Sequence, residues 1–219
     1  MITTKQVTYA YPNQQAMLFP DIHCADLEHA LILGPSGTGK TTLLHLLAGL
    51  LSPTSGEIMI DRTPFHQLRG RKLDLFRGQN IGLVFQKTHF VKSISALENL
   101  LLTQNLSSRK PEKKVAMALL EKLSIAHKAN NKPFELSIGE QQRLAIARAL
   151  INKPGIILAD EPSSALDDEN CFKMIALLQH VATEEKSNLL IVTHDSRIKN
   201  MIDQKIYLVN GEIELEKSE

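Results

Sequence analysis

No stretch of the 219-residue sequence approaches the ~18 apolar residues that suggest a bilayer span; the most apolar run is only Leu43 to Leu51. The first residues also lack the pattern of a secretory signal, so the chain is expected to be soluble by itself. Cysteine is scarce. Cys24 and Cys171 stand far apart with no C-x-x-C or metal-ligand spacing, which argues against a disulfide or zinc framework and fits a reducing cytoplasm. Charge of one sign is not in excess either. With 25 Lys and Arg against 24 Asp and Glu, no global field recruits nucleic acid or an anionic membrane, and any such partner must be bound locally. The length allows one sizeable core with a smaller appended lobe.

Against these absences one stretch stands out. Gly34-Pro35-Ser36-Gly37-Thr38-Gly39-Lys40-Thr41, followed by Thr42, matches G-x-x-x-x-G-K-[ST] between an apolar strand, Ala30 to Leu33, and a leucine-rich helix expected over Lys40 to Leu51. The glycines let backbone N–H groups wrap a polyphosphate, and the helix N-terminus adds about half a positive charge. Lys40 is expected to reach the β- and γ-phosphate oxygens, and the Thr41 hydroxyl to bind Mg²⁺.

The remaining chain reads as a sheet platform with helices. Ile2 to Tyr9, a polar turn at Pro12 to Gln15, and Ala16 to Cys24 predict an early antiparallel hairpin. Tyr11 at the edge of that turn either stacks on an adenine or merely packs. Ser52 to Gly56 ends the first helix and starts a strand over Glu57 to Asp61. A basic, poorly periodic segment from Gln67 to Gln79 leads into a buried strand, Asn80 to Phe85, stopped by the polar Gln86.

From Lys87 onward helix signals replace strand signals. Ser95 to Glu98 is a capping box for a helix to about Leu106, and Pro111 suits the first turn of another carrying Val115, Leu119, Leu120 and Leu123. Arg109, Lys110, Lys113 and Lys114 read as a solvated basic face. Ser137 to Glu140 is also a capping box, heading a helix over Gln141 to Ile151; the same Ser hydroxyl and Gly amide at a helix start can serve as an anion site. Gly155 to Ala159 is an apolar strand ending in Asp160 and Glu161, with Asp160 placed to hold Mg²⁺ through its water shell. Ser163 to Asp167 caps a helix to about Ala182, and the strand Leu189 to Val192 ends at Thr193-His194, where His194 is either structural or a γ-phosphate donor. Lys205 to Val209, Asn210-Gly211 and Glu212 to Leu215 predict a closing hairpin with no further domain after it.

This ordered set resembles the nucleotide-binding subunit of an ATP-binding cassette (ABC) transporter over almost the whole chain. The resemblance implies an α/β fold, a P-loop NTPase core with an antiparallel β subdomain and an inserted α-helical subdomain at about residues 87–153, making residues 1–219 a single ATPase domain. It makes Tyr11 the adenine-stacking aromatic, Gly34 to Thr41 the Walker A loop, Gln86 the glutamine that touches Mg²⁺ and the attacking water, and Glu161 the general base. Ser137, Gly139 and Glu140 fall in the signature that reaches the ATP of a second copy, Asp167 in the dimer-contact loop, and His194 at the switch histidine. Two positions depart from the family's Leu-Ser-Gly-Gly-Gln. Ile138 stands in place of the first Gly and Glu140 in place of Gln. The implied activity is ATP hydrolysis with Mg²⁺ in an ATP-bound homodimer. That dimer sits at the inner face of the cell membrane on separate permease subunits, with no nucleic acid.

The motifs around Arg77, Ile81 to Gln86, Ala96 to Asn99 and Gly139 to Arg143 look like the ATPases of macrolide-export and lipoprotein-release systems, whereas Ser164-Ala165 resembles importer ATPases. A soluble ABC ATPase of DNA repair or translation is the reading from another class. Such proteins usually carry a long coiled-coil insertion or two cassettes, and this sequence has neither.

Overall fold

The computed structural model describes residues 1–164, 166–209 and 212–216. Strand β1 (Ile2–Tyr9) is followed by two short strands, β2 (Met17–Leu18) and β3 (His23–Cys24), both antiparallel to it. The expected second arm of the hairpin is thus split, and Pro20, which has no N–H to give to a ladder, lies in the gap. Next come β4 (His29–Leu33), α1 (Lys40–Leu47), β5 (Ser55–Ile60) and β6 (Thr63–Pro64). Helix α2 (Gly70–Asn80) and strand β7 (Ile81–Val84) lead to three helices, α3 (Ala96–Leu106), α4 (Lys113–Lys122) and α5 (Ile138–Leu150). The chain continues through β8 (Ile156–Asp160), α6 (Asp168–Glu184), β9 (Asn188–Thr193), β10 (Gln204–Val209) and β11 (Glu212–Glu216).

Two sheets result. One is antiparallel, in the order β2-β1-β5-β6 with β3 also on β1. The other runs β11-β10-β4-β9-β8-β7, parallel from β10 to β7, with β11 antiparallel at its edge. Alternation along the parallel strands feeds two cores. Leu31 and Leu33 of β4 join the side covered by α3 to α6, while Ala30 and Ile32 join the side holding α1 and the antiparallel sheet. Both faces are covered, which is why these strands read as unbroken apolar runs. The parallel strands end along one edge, so Leu33, Val84, Asp160 and Thr193 deliver the segments that follow them to a common rim.

Several boundaries differ from the sequence expectation. Helix α1 ends at Leu47 rather than Leu51. Gly49 adopts φ +64°, and Leu50 N–H and Gly49 N–H bond to the carbonyls of His45 and Leu46, the paired bonds of a Schellman stop. The basic, poorly periodic segment, for which the sequence predicts no element, contains helix α2; its Leu73 and Phe76 pack on the second core, but the other side chains dilute the period. Pro111 lies before the N-cap Glu112 of α4, outside its first turn. Helix α5 starts at Ile138, not Gln141, because Ser137 is its N-cap. Strands β10 and β11 pair as the closing hairpin requires, and the expected turn Asn210-Gly211 lies outside the described residues. Arg109, Lys110, Lys113 and Lys114 are exposed, as a solvated face requires. Helices α3 and α4 pack on each other and on α5, which also packs on β7.

Candidate active site

The loop between β4 and α1 folds as a cradle because its glycines permit it. Gly39, the N-cap of α1, has φ +92°, a conformation that L side chains rarely adopt. Gly34 passes so close to β10 that an added Cβ would sit 2.4 Å from the Leu208 carbonyl oxygen. No side chain caps α1. Its first-turn N–H groups therefore point into the cradle without an intrahelical acceptor. Lys40 is 7% exposed, and its ammonium donates to the carbonyl oxygens of Gly34 (2.8 Å) and Pro35 (2.7 Å). Burial lowers its pKa, with Glu161 and Asp160 acting in the opposite sense. A desolvated ammonium facing open N–H groups fits a polyphosphate anion. The Thr38 hydroxyl donates to Pro35 O at 2.9 Å and braces the same loop.

A cleft of about 420 Å³ opens beside the cradle. Ser36, Gly37, Gly39, Lys40, Thr41 and Thr42 form one side of it. Tyr11, Gln86, Glu161 and His194 complete it, together with Gln14 and Met17, which the sequence reading missed. Gly34, Pro35 and Thr38 stand behind this surface and act on it through Lys40 and the loop. The Tyr11 hydroxyl lies 3.1 Å from Thr42 Oγ1, and its ring meets Tyr9 edge-on, so the aromatic is held beside α1. Asp160, at the end of β8, is 8% exposed and accepts from the Thr41 hydroxyl at 3.2 Å. Burial raises its pKa and the Thr41 bond opposes this. Two hard oxygens from α1 and β8 meeting at a phosphate cradle suit Mg²⁺, which takes few protein ligands and completes its shell with water and phosphate.

Glu161 follows in a left-handed conformation, φ +47°, its N–H tied to Val192 O at 2.9 Å. Strain of this kind at a non-glycine residue gathers at functional sites. The turn swings the carboxylate across to the end of β9, where it accepts from Thr193 Oγ1 (3.0 Å), His194 N (3.1 Å) and His194 Nδ1 (2.6 Å). An ionised carboxylate can only accept, so Nδ1 carries the proton and the other ring nitrogen is left for a ligand. Gln86 donates to the Ser164 hydroxyl at 3.0 Å, and that hydroxyl donates to Glu161 O at 3.1 Å. Thr193 was legible only as part of a strand end, since its contact with Glu161 spans 32 residues.

Ser137, Gly139, Glu140 and Asp167 are not brought to this cleft. Gly139 and Asp167 line a separate groove of about 310 Å³ between the starts of α5 and α6. Ser137 Oγ accepts from Glu140 N at 3.3 Å and Glu140 Oε2 accepts from Ser137 N at 2.8 Å, which closes the capping box. The Ser137 N–H lowers the Glu140 pKa, and Lys128 and His127 add to this. Ile138 projects outward, 66% exposed, and a Cβ added to Gly139 would meet nothing within 4 Å. Asp167 caps α6 by accepting from Asn170 N at 2.9 Å.

A protein-family model described as ABC transporter matches residues 21–164. The chain is 38% identical over 217 residues to the "Lipoprotein-releasing system ATP-binding protein LolD 2" of Chlorobaculum tepidum, covering 94% of this chain and 88% of that one. It is 37% identical over 215 residues to the LolD protein of Bacteroides fragilis, covering 97% of this chain and 100% of that one. Among solved structures it resembles the dimeric post-hydrolysis state of the ATP-binding cassette MJ0796 bound to ADP and Pi. The TM-score is 0.87 at 35% identity, with 99% of this chain and 98% of that chain covered.

Proposed function

We propose how this chain, which belongs to the ABC transporter family and is one of its ATP-binding and hydrolysing subunits, does its work. Two copies join head to tail, each ATP lies between the cradle of one copy and the Ser137 to Glu140 segment of the other, and closure drives a separate permease in the membrane. The observation that carries this reading is the division of the machinery. The cleft gathers the cradle, Asp160 through Thr41, Glu161 and His194, whereas Gly139 and Asp167 line another groove of the same chain. Each chain thus holds two half-sites, and head-to-tail pairing makes two whole ones. The dimeric form of a similar cassette with ADP and Pi supports the pairing of two copies.

Within the closed site Tyr11 stacks on adenine and the N–H groups of α1 and Lys40 hold the β- and γ-phosphates, while Thr41, Gln86 and, through its water shell, Asp160 would hold Mg²⁺. Bound Mg²⁺ neutralises charge on the phosphate oxygens. Glu161 takes the proton of the attacking water, and His194, Lys40 and the second copy's Ser137 hydroxyl and Gly139 N–H stabilise the negative oxygens. In this scheme residues 1–219 act as a single ATPase domain, with the helical lobe at about residues 87–153 inserted in the α/β core. Lipoprotein release is the preferred cargo class, from the names of relatives matched over nearly the whole chain. No helix among the described residues is long and apolar enough to cross a membrane, so attachment to the inner face runs through the permease.

The test mixes two defective chains, Lys40→Ala and Ser137→Ala, in the presence of the permease. Each homodimer lacks a sound site, while the heterodimer has one cradle with Lys40 facing an intact Ser137 and should recover a single turnover. With heterodimer formation verified, no gain over either parent overturns the head-to-tail arrangement.

A further inference from the structure

We infer that Arg197 is a positioning residue. It ties the Leu166–Asp168 segment to the strand end that bears His194, so that contact made at Asp167 by a second copy reaches the Glu161–His194 pair. The inference rests on the two-copy reading above.

Two bridges meet at Asp195. On one side the Asp195 N–H donates to Thr193 Oγ1 at 2.9 Å, and that hydroxyl donates to Glu161 Oε2 at 3.0 Å. On the other side the Asp195 carboxylate accepts from Arg197 Nε at 2.9 and 3.1 Å and from Nη2 at 2.7 Å, in a fork that only a guanidinium can make. Ser163 Oγ donates to the same carboxylate at 3.1 Å. These bonds, the Arg197 pair foremost, hold the Asp195 carboxyl down to about 2. The pair is therefore charged wherever the protein works.

The remaining guanidinium nitrogen leaves the fork and crosses to the next segment. Arg197 Nη1 donates to Leu166 O at 3.2 Å and to Asp168 Oδ1 at 2.6 Å. Leu166 and Asp168 flank Asp167, the N-cap of α6 and a wall of the second groove. One planar cation thus joins three acceptors on two segments about 30 residues apart in sequence, 29 for the Asp168 bond. Asp168 is 77% exposed, so its bond to Arg197 is not needed to bury it. A rigid fork transmits a displacement of Asp167 to Asp195 and on to Thr193 and Glu161. A lysine, with one point charge, can hold Asp195 or the Leu166–Asp168 segment but not both.

Steady-state ATPase of the full chain at varied MgATP and protein concentration tests this in Arg197→Lys and Asp168→Asn. Both should melt within a few degrees of the parent, since Asp195 keeps a cation in each. We expect kcat to fall roughly 10- to 100-fold, as misplacement of a catalytic group does. The KM for MgATP should change little, and the Hill coefficient should drop from above 1 to 1. Recovery of parental kcat and cooperativity by Arg197→Lys would leave Arg197 only the task of neutralising Asp195, and would overturn the proposal. So would losses that merely follow the folded fraction. A parent that shows neither cooperativity nor concentration dependence would sink the two-copy reading itself, and this inference with it.

Discussion

Helix α1 begins at Gly39, which has no side chain to offer its first-turn N–H groups, whereas α5 begins at Ser137, whose hydroxyl is answered by Glu140 in a closed capping box. In the proposed scheme both starts act on phosphate, the first within its own chain and the second on the ATP of another copy. A glycine at the N-cap in place of a capping side chain costs about a few tenths of a kcal/mol, and α1 carries that cost beside a buried ammonium. In the proposed scheme a bound phosphate supplies the missing acceptor. Helix α5 carries its own capping box, and Gly139 and Ile138 face outward beside it. The proposed head-to-tail pairing gives these two helix ends different tasks, grip at α1 and presentation at α5.

The largest expected effect separates grip from chemistry. Glu161→Gln keeps the shape of the strand end but cannot accept the proton, so hydrolysis should fall ~10²- to 10⁴-fold while nucleotide titration shows binding retained. Near-parental turnover would remove Glu161 from the role. Next is Lys40→Met, which removes the ammonium proposed to reach the phosphates; MgATP affinity measured by calorimetry should weaken on the order of 100-fold. Without nucleotide its melting temperature should not fall, because the ammonium is desolvated and bonded only to the carbonyls of Gly34 and Pro35. A clear drop would break the contrast between the two helix starts.

Ser137→Ala should behave in the opposite way. It should lose about 1 kcal/mol without any ligand, a fall of about 2–4 °C in a chain of this size. Ile138→Gly should raise steady-state ATPase about twofold, since removing an exposed β-branched side chain at the first residue of α5 lets the backbone approach a phosphate. An equal or lower rate would mean that the second copy accommodates it. The smallest effect is a pH response confined to α5. The folded state depresses the Glu140 pKa below its ordinary 4.5, so the cap's contribution is present above that pH and lost as the pH falls through the depressed value. The protection factor of the Ser137 amide, which donates to the Glu140 carboxylate, should therefore fall in acid in the parent and not in Glu140→Gln.

Much of the site was readable along the chain because its signals are local. The Gly34 to Thr42 loop, the capping boxes at Ser95 and Ser137, and the apolar strand ending in Asp160-Glu161 each lie within a few consecutive residues, and each appears in the folded chain. Gly49 was a readable helix stop as well, masked by the leucines around it. Helix α2 was not readable, since Leu73 and Phe76 are too few to set a period. Nor was the union of Glu161 with Thr193 and His194, of Gln86 with Ser164, or of Arg197 with Asp168, which join residues 29 to 78 positions apart. Residue order can place a side chain at the end of a strand. Which other strand end lies beside it depends on the sheet order β4-β9-β8-β7, and that order is chosen by the packing of two apolar faces against their helices rather than by any short stretch of sequence.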